Sequence, residues 1–253
     1  MNTDSVNILG SRVDLFEDYE SVYLRIKNYV ESNTTPGFIT VNNVHTIVEA
    51  AKDRNYKKIL EESFLSLPDG RPLSIYQKIK KTNASRIMGP TLFEKTLQWS
   101  RAAGFSHFFF GSDQNTLDQI VSEINQKYTG VKIAGTLAPP FTEFLKEENN
   151  IFLKKINESQ ADIIWVGLGA PKQEKWIYEN YTKLNKGLMI GVGAGFDYFV
   201  GKLKHAPGWM KNFSLEWFYR MLQDPRRLWK RYLIANSKFI YYLALEFFRL
   251  KRF

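Results

Sequence analysis

The sequence predicts an α/β fold, a Rossmann-like parallel-sheet sandwich with a helical, basic and aromatic C-terminal appendage. Three observations predict it. Short apolar runs of strand-forming residues alternate with helical patterns of about 10–16 residues, the signature of βαβ units and a parallel sheet. The composition is that of a globular chain, with 44% apolar and 24% charged residues among 253, enough for a sizeable core and at odds with a wholly disordered, collagenous or coiled-coil chain. The charge is segregated. Residues 202–253 hold twelve Lys and Arg against three acids, so the whole net charge of +9 lies there, and residues 1–201 carry 23 of each sign. The same 52 residues hold 13 of the 38 aromatics. The predicted division is therefore an α/β domain over 1–201 and an appendage over 202–253.

The elements follow in order. Val6–Leu9 reads as a short strand and about Asp18 to Glu31 as a helix. Gly37–Val41 (GFITV) is an apolar strand, and Val44–Lys52 and Tyr56–Ser63 have helical spacing. Leu67–Pro72 (LPDGRP) is turn chemistry. A helix spans about Gly89–Ala103, and Phe105–Gly111 (FSHFFFG) is a buried strand. Asn115–Tyr128 is a helix, Val131–Gly135 a strand and Thr142–Glu158 a helix. Ile163–Gly167 (IIWVG) is a strand, Pro171–Tyr181 a helix and Leu188–Gly191 a strand. Neither an internal repeat nor a low-complexity stretch occurs.

Composition also narrows the chemistry. There is no cysteine, which removes disulfides, thiolate nucleophiles and thiolate metal sites together. The three histidines, His45, His107 and His205, are far apart, a poor basis for a zinc or iron centre, and are read as structural or surface residues. No basic-then-apolar leader opens the chain, so the expected compartment is the cytosol.

Parallel α/β sheets bind ligands beyond the carboxyl ends of their strands, so the residues there are the candidates. GFITV contains Thr40 and is followed by Asn42-Asn43. FFFG leads to Ser112-Asp113-Gln114. IIWVG leads to Leu168-Gly169-Ala170-Pro171-Lys172-Gln173-Glu174, where Pro171 suits the first turn of a helix whose free N–H groups can receive phosphate. LMIGV leads to Gly193-Ala194-Gly195-Phe196-Asp197, where glycines let a backbone approach a ligand closely. Each segment alone has a plainer reading. Gly191–Gly195 is equally a tight strand-to-helix turn, Asp69 an ordinary turn aspartate, Gln173 and Glu174 first-turn helix residues, and Asn42-Asn43 a strand end. The glycines come too late for the dinucleotide fingerprint, which belongs to the first βαβ unit.

Read together, the segments are more specific. FITVNNVHTIVEA, LPDGRPL, SRIMGPTLFE, FFFGSDQNTL, GVKIAGTLAPPF, WVGLGAPKQEKWI, GVGAGFDYFVGKLKHAPGWM and LEWFYRMLQDPRRLWKRYL occur in this order over most of residues 6–232. In that series the chain resembles the WecG/TagA/CpsF glycosyltransferases of bacterial surface-polysaccharide synthesis. The resemblance implies an inverting, metal-independent transferase that needs no cofactor. It would move a hexose or N-acetylhexosamine from a UDP-sugar to an undecaprenyl-diphosphate-linked saccharide. It implies Asp69 as general base, Thr40 and Asn42 as the polar pair of the same pocket, and Arg86 as the pocket arginine. It places Gln173 and Asp197, with Gly169 and Gly193, around the nucleotide-sugar, and has Arg220 and Arg227 supplied by the appendage. Pro68 stands where many members have alanine, a departure in the loop that keeps the carboxylate. Self-association through the body is also left open.

The residue types suit that chemistry. An attacking hydroxyl must lose a proton to a carboxylate within reach, and the departing diphosphate gains charge that N–H groups and guanidinium can stabilise. No D-x-D pair is present to hold a divalent ion. Arg220 and Arg227, seven apart, would share a helical face, although Asp224-Pro225 between them disfavours one continuous helix.

The appendage mixes cations and aromatics, as an anionic membrane interface favours. Its longest apolar piece, Phe239–Phe248, is interrupted by Glu246 and falls short of the ~18–20 residues a span needs. The expectation is a peripheral protein on the inner face of the cell membrane, with no nucleic-acid partner. A non-enzymatic scaffold of polysaccharide assembly and a nucleotide-dependent oxidoreductase are the alternatives.

Overall fold

The computed structural model describes residues 4–32, 35–79, 83–142, 144–213 and 215–253, except the side chains of Lys211, Asn212 and Arg227. In chain order its elements are β1 (Ser5–Ile8), β2 (Ser11–Asp14), α1 (Tyr19–Ser32), β3 (Gly37–Asn42), α2 (Val44–Ala50), α3 (Arg54–Glu62) and β4 (Leu65–Pro68). They continue as α4 (Arg71–Ile79), α5 (Gly89–Ala103), β5 (Ser106–Gly111), α6 (Gln114–Lys127), β6 (Lys132–Leu137), α7 (Lys146–Ser159) and β7 (Ile163–Gly167). The last are α8 (Lys172–Asn180), β8 (Leu188–Gly191), α9 (Gly195–Phe199), α10 (Gly208–Asn212), α11 (Glu216–Gln223) and α12 (Pro225–Phe247).

Strands β1 and β2 form an antiparallel hairpin. The other six make one parallel sheet in the order β4-β3-β8-β7-β5-β6, the α/β sandwich that the alternation predicted. Side chains alternate between its faces, as the period of two requires. Phe38, Phe108, Phe110, Ile164, Val166 and Met189 enter one core, shared with α2, α3, α7 and α8. Ile39, Val41, Phe109, Ile163, Trp165 and Ile190 enter the other, shared with α1, α5, α6 and α9. Burial on both faces is why these strands read as continuous apolar runs.

Helices α2, α3 and α6 start at residues whose side chains cap them. Asn43 Oδ1 accepts from the N–H groups of His45 and Thr46 at 3.0 and 3.4 Å, and Thr46 Oγ1 accepts from Asn43 N at 2.9 Å. Asn43 is thus a helix cap. Asp113 caps α6 in the same way, accepting from Thr116 N at 2.7 Å.

The sequence pattern misses the helix α4 and the two strands β2 and β4. Both strands are four residues long, and β4 runs into the turn signal LPDGRP: Leu67 and Pro68 complete the strand, Asp69-Gly70 makes the turn, and Arg71-Pro72 begins α4. Pro68 is tolerated because β4 is the sheet edge. The C-terminal segment is helical, and Asp224-Pro225 divides it. Proline lacks an N–H and pushes the residue before it out of the helical region, so Asp224 sits at φ −144°, ψ 65° between α11 and α12. The shared helical face expected of Arg220 and Arg227 therefore does not form. Leu228, Ala235 and Phe239 of α12 are buried, and the helix packs along α2.

Candidate active site

All six strands of the main sheet point their carboxyl ends to one edge, and two groups of residues gather there. The first is at the outer strands β3 and β4. Asp69 follows β4, and its N–H donates to the Asn42 carbonyl at 2.7 Å. Gly70 beside it leaves little room for a side chain, because a Cβ there would lie 3.2 Å from the Asn43 Cα. Arg86, on the segment entering α5, donates through Nε to the Asp69 carbonyl, and its Nη2 stands 3.7 Å from Asp69 Oδ1. Its Nη1 pairs with Glu216 of α11. The Asp69 side chain is 28% exposed, so it is reachable although partly desolvated.

That placement sets its ionisation. Burial pushes the Asp69 carboxyl above the usual range and Glu216 adds to the rise, while Arg86 and the Gly89 N–H oppose it. Burial works against the charge of Arg86, but Asp69 and Glu216 outweigh it and hold the guanidinium above its ordinary value. Tyr19, whose hydroxyl accepts from Met88 N at 2.9 Å, senses both Asp69 and Arg86 and is raised chiefly by burial.

Asn42 and Thr40 lie below this surface and are fully buried. Asn42 Nδ2 donates to Thr40 Oγ1 at 3.0 Å and to Ser66 Oγ at 2.9 Å. Ser66 Oγ donates onward to the Arg12 carbonyl at 2.6 Å, and Ser66 N to Asp14 Oδ2 at 2.8 Å. The hairpin β1–β2 thus braces the strand that carries the site. Asn42 Oδ1, although buried, has no hydrogen-bond partner.

The second group lies between β7 and β8. Gln173, 3% exposed, joins their two glycine loops, its Oε1 accepting from Gly193 N at 2.9 Å and from Gly169 N at 3.2 Å. Its Nε2 donates to Glu174 Oε1 at 2.7 Å, which fixes the orientation of the amide. A Cβ on Gly191 would stand 3.0 Å from Gln173 Nε2, so this close fit needs the glycine. Glu174 is itself buried, and burial raises its carboxyl above the usual range.

The C-terminal segment closes over both groups. Arg220 of α11 is 9% exposed, its guanidinium lies 5.2 Å from the Tyr198 ring centre, and its Nη1 has no hydrogen-bond partner. Tyr198 and Tyr232 both sense Arg220 and Asp69, and burial raises both hydroxyls.

The structure therefore brings Asp69, Arg86 and Arg220 to one locality, with Thr40 and Asn42 beneath it, and Gln173, Gly169 and Gly193 to the adjoining loops. Asp197, on α9 next to Tyr198, is half-buried and its carbonyl accepts from Leu203 N at 3.1 Å. Arg227 is on α12, and its side chain lies outside the described residues. Sequence reasoning missed Glu216, Tyr19, Tyr198 and Tyr232. Glu216 left one faint signal, as one of only three acids in a strongly cationic segment.

His107, set apart from this edge, is structural. It is fully buried, accepts from Trp165 Nε1 at 3.0 Å through Nδ1 and bonds Ser100 Oγ at 2.7 Å through Nε2. Burial holds its pKa down at about 3.

The family model for the WecG/TagA/CpsF glycosyl transferases matches residues 6–253. Three relatives carry the name N-acetylglucosaminyldiphosphoundecaprenol N-acetyl-beta-D-mannosaminyltransferase. The Bacillus subtilis (strain 168) protein is 31% identical over 237 residues, covering 92% of this chain and 88% of its own. The Bacillus spizizenii protein is 30% identical over 206 residues, covering 81% and 77%. The Staphylococcus aureus (strain MW2) protein is 26% identical over 246 residues, covering 94% of each.

Proposed function

The chain belongs to the WecG/TagA/CpsF glycosyltransferase family, and from that membership we propose that it transfers N-acetylmannosamine or a related hexose from a UDP-sugar to a polyprenyl-diphosphate-linked saccharide, with inversion at the anomeric carbon. The observation that carries this reading is the convergence of Asp69, Arg86 and Arg220 at the carboxyl edge of the sheet. In its ionised form Asp69 takes the proton of the acceptor hydroxyl as that oxygen attacks the anomeric carbon and the bond to UDP breaks. Arg220, buried with Nη1 lacking a partner, offsets the charge that collects on the departing diphosphate. The loops held by Gln173 present backbone to the nucleotide at the switch between β7 and β8, with Asp197 at their far end. Asn42 and Thr40, buried beneath the site, hold β3 and β4 together under Asp69 rather than meeting the sugar. Guanidinium groups then serve where other sugar-nucleotide enzymes use a divalent ion.

In this reading residues 202–253 complete the site and rest on the inner face of the membrane. No helix among the described residues is long and apolar enough to cross a membrane. The segment instead exposes Trp209, Phe213, Trp229, Phe247 and Phe248 among its cations, as interfacial docking favours. The test follows UDP release from a panel of UDP-sugars, with a lipid-diphosphate-GlcNAc acceptor in detergent and EDTA. Acceptor-dependent release is expected. Silence across the panel from folded protein overturns the reading.

A further inference from the structure

A cavity of about 700 Å³ adjoins Arg86 and is lined by Arg71, Ser74, Lys78, Asn83, Ala84, Ser85 and Arg86. Three of these are cations, three more bear hydroxyl or amide groups, and no carboxylate is among them. Arg71, Ser74 and Lys78 stand at i, i+3 and i+7 on α4, one face of that helix. The opposite wall is fixed to the body, since Ser85 N donates to the Phe16 carbonyl at 2.7 Å and Ile87 N to the Pro68 carbonyl at 2.8 Å. Arg86 belongs to both places. It lines the cavity and also holds Asp69, so a ligand seated here lies beside the reactive carboxylate.

A second feature borders the cations. Ile75 and Ile79, at i and i+4 on α4, are 46% and 71% exposed. They follow the ridge of Arg71 and Lys78 around the helix by a fraction of a turn. A polyanion pocket edged by an exposed apolar strip fits an amphiphile whose anionic head carries a hydrocarbon chain. A sugar nucleotide has no use for the strip, and its diphosphate is already provided for at Arg220.

We infer that this cavity seats the diphosphate of the lipid-linked acceptor, with the first isoprene units lying along Ile75 and Ile79. The inference rests on the transferase reading and names the acceptor's half of that site. Arg71 and Lys78 hold the diphosphate so that the sugar it carries faces Asp69 across Arg86.

The test compares wild type with the Arg71→Ala/Lys78→Ala double variant, using GlcNAc-diphosphate-undecaprenol and an uncharged alkyl GlcNAc as acceptors. The double variant is expected to raise KM for the charged acceptor ~10-fold or more, the scale of losing two charge-assisted contacts. It leaves kcat, the UDP-sugar KM and the uncharged acceptor unchanged. Arg71→Lys/Lys78→Arg restores most of the affinity. Ile75→Ser/Ile79→Ser weakens the prenyl acceptor and spares a methyl diphosphate analogue. An unaltered acceptor KM overturns the inference, and so does a rise confined to the UDP-sugar KM, which would give the cavity to the donor. A binding measurement without turnover separates this inference from the transferase reading. Farnesyl diphosphate and farnesol are titrated into the full chain, wild type and double variant, with equal thermal melting as the check on folding. Tighter binding of the diphosphate by wild type alone supports the cavity even if every donor in the panel fails. Equal binding of the two probes overturns it.

Discussion

At the β3–β4 side of the cleft the functional groups are ionisable: Asp69, Arg86 and, across from them, Glu216. At the β7–β8 side there are two glycine loops, fixed by N–H groups that donate to the neutral amide of Gln173. The two sides lie on one sheet edge and differ in what they can be asked to do. A charged group whose pKa is set by its neighbours can gain and lose a proton during a reaction. A backbone loop cannot, but it holds a fixed shape at any pH and costs little reorganisation when charge develops nearby. In the proposed transfer the first side moves the proton and the second receives the nucleotide.

The largest effect tests the ionisable side. Asp69→Asn is expected to lower kcat by about 10³-fold, the usual scale for a general base, with little change in the UDP-sugar KM. The same substitution carries a stability signature. Burial raises the folded-state pKa of Asp69 above its ordinary value, so the folded state holds this proton more tightly than the unfolded one. Its contribution to stability then falls as pH rises from the ordinary value through the raised one. Asp69→Asn, with no charge to desolvate, is expected to melt at or above wild type at pH 7. The difference should close in acid below the ordinary carboxylate range. A variant that is inactive and also less stable at pH 7 would make Asp69 a structural residue.

The next effect tests the neutral side. Gln173→Ala removes one acceptor from two backbone N–H groups and leaves Glu174, already buried, without its amide partner. Leaving buried polar groups unpaired costs about 1–3 kcal/mol. We expect a lower melting temperature and a UDP-sugar KM raised by about tenfold, on the scale of one lost hydrogen-bonding unit. The position of the acid limb of the rate–pH profile should not move. A shifted limb would mean that the two sides share one titrating network.

The two sides also differ in how far they were legible. The parallel sheet, its two faces and the glycine loops follow from local patterns, because a strand buried on both faces must be apolar throughout. Ile163–Gly167 and Leu188–Gly191 fall where the sequence puts them. The triad of Asp69, Arg86 and Arg220 came from resemblance, since no spacing rule joins residues 69, 86 and 220. Strand β4 was hidden by the turn residues at its end. Glu216 was hidden for a deeper reason. Its partner Arg86 is 130 residues away, and no local pattern brings the start of α11 to the segment entering α5.

Glu216 gives the smallest and most discriminating effect. It raises Asp69 by like-charge proximity and occupies one end of the Arg86 guanidinium. Glu216→Gln removes the repulsion and leaves Arg86 freer to favour the Asp69 anion, so both changes lower the Asp69 pKa. Activity that needs ionised Asp69 then persists to lower pH. Initial rates between pH 4 and 8 are expected to show the acid limb displaced downward, with the rate at neutral pH changed by no more than about threefold, as for a partner that touches neither reacting atom. An acid limb that stays in place in Glu216→Gln but disappears in Asp69→Asn would keep Asp69 as the base and make Glu216 only a tether for α11. A limb that rises would mean that Glu216 holds Arg86 toward Asp69, the reverse of the coupling deduced from their geometry.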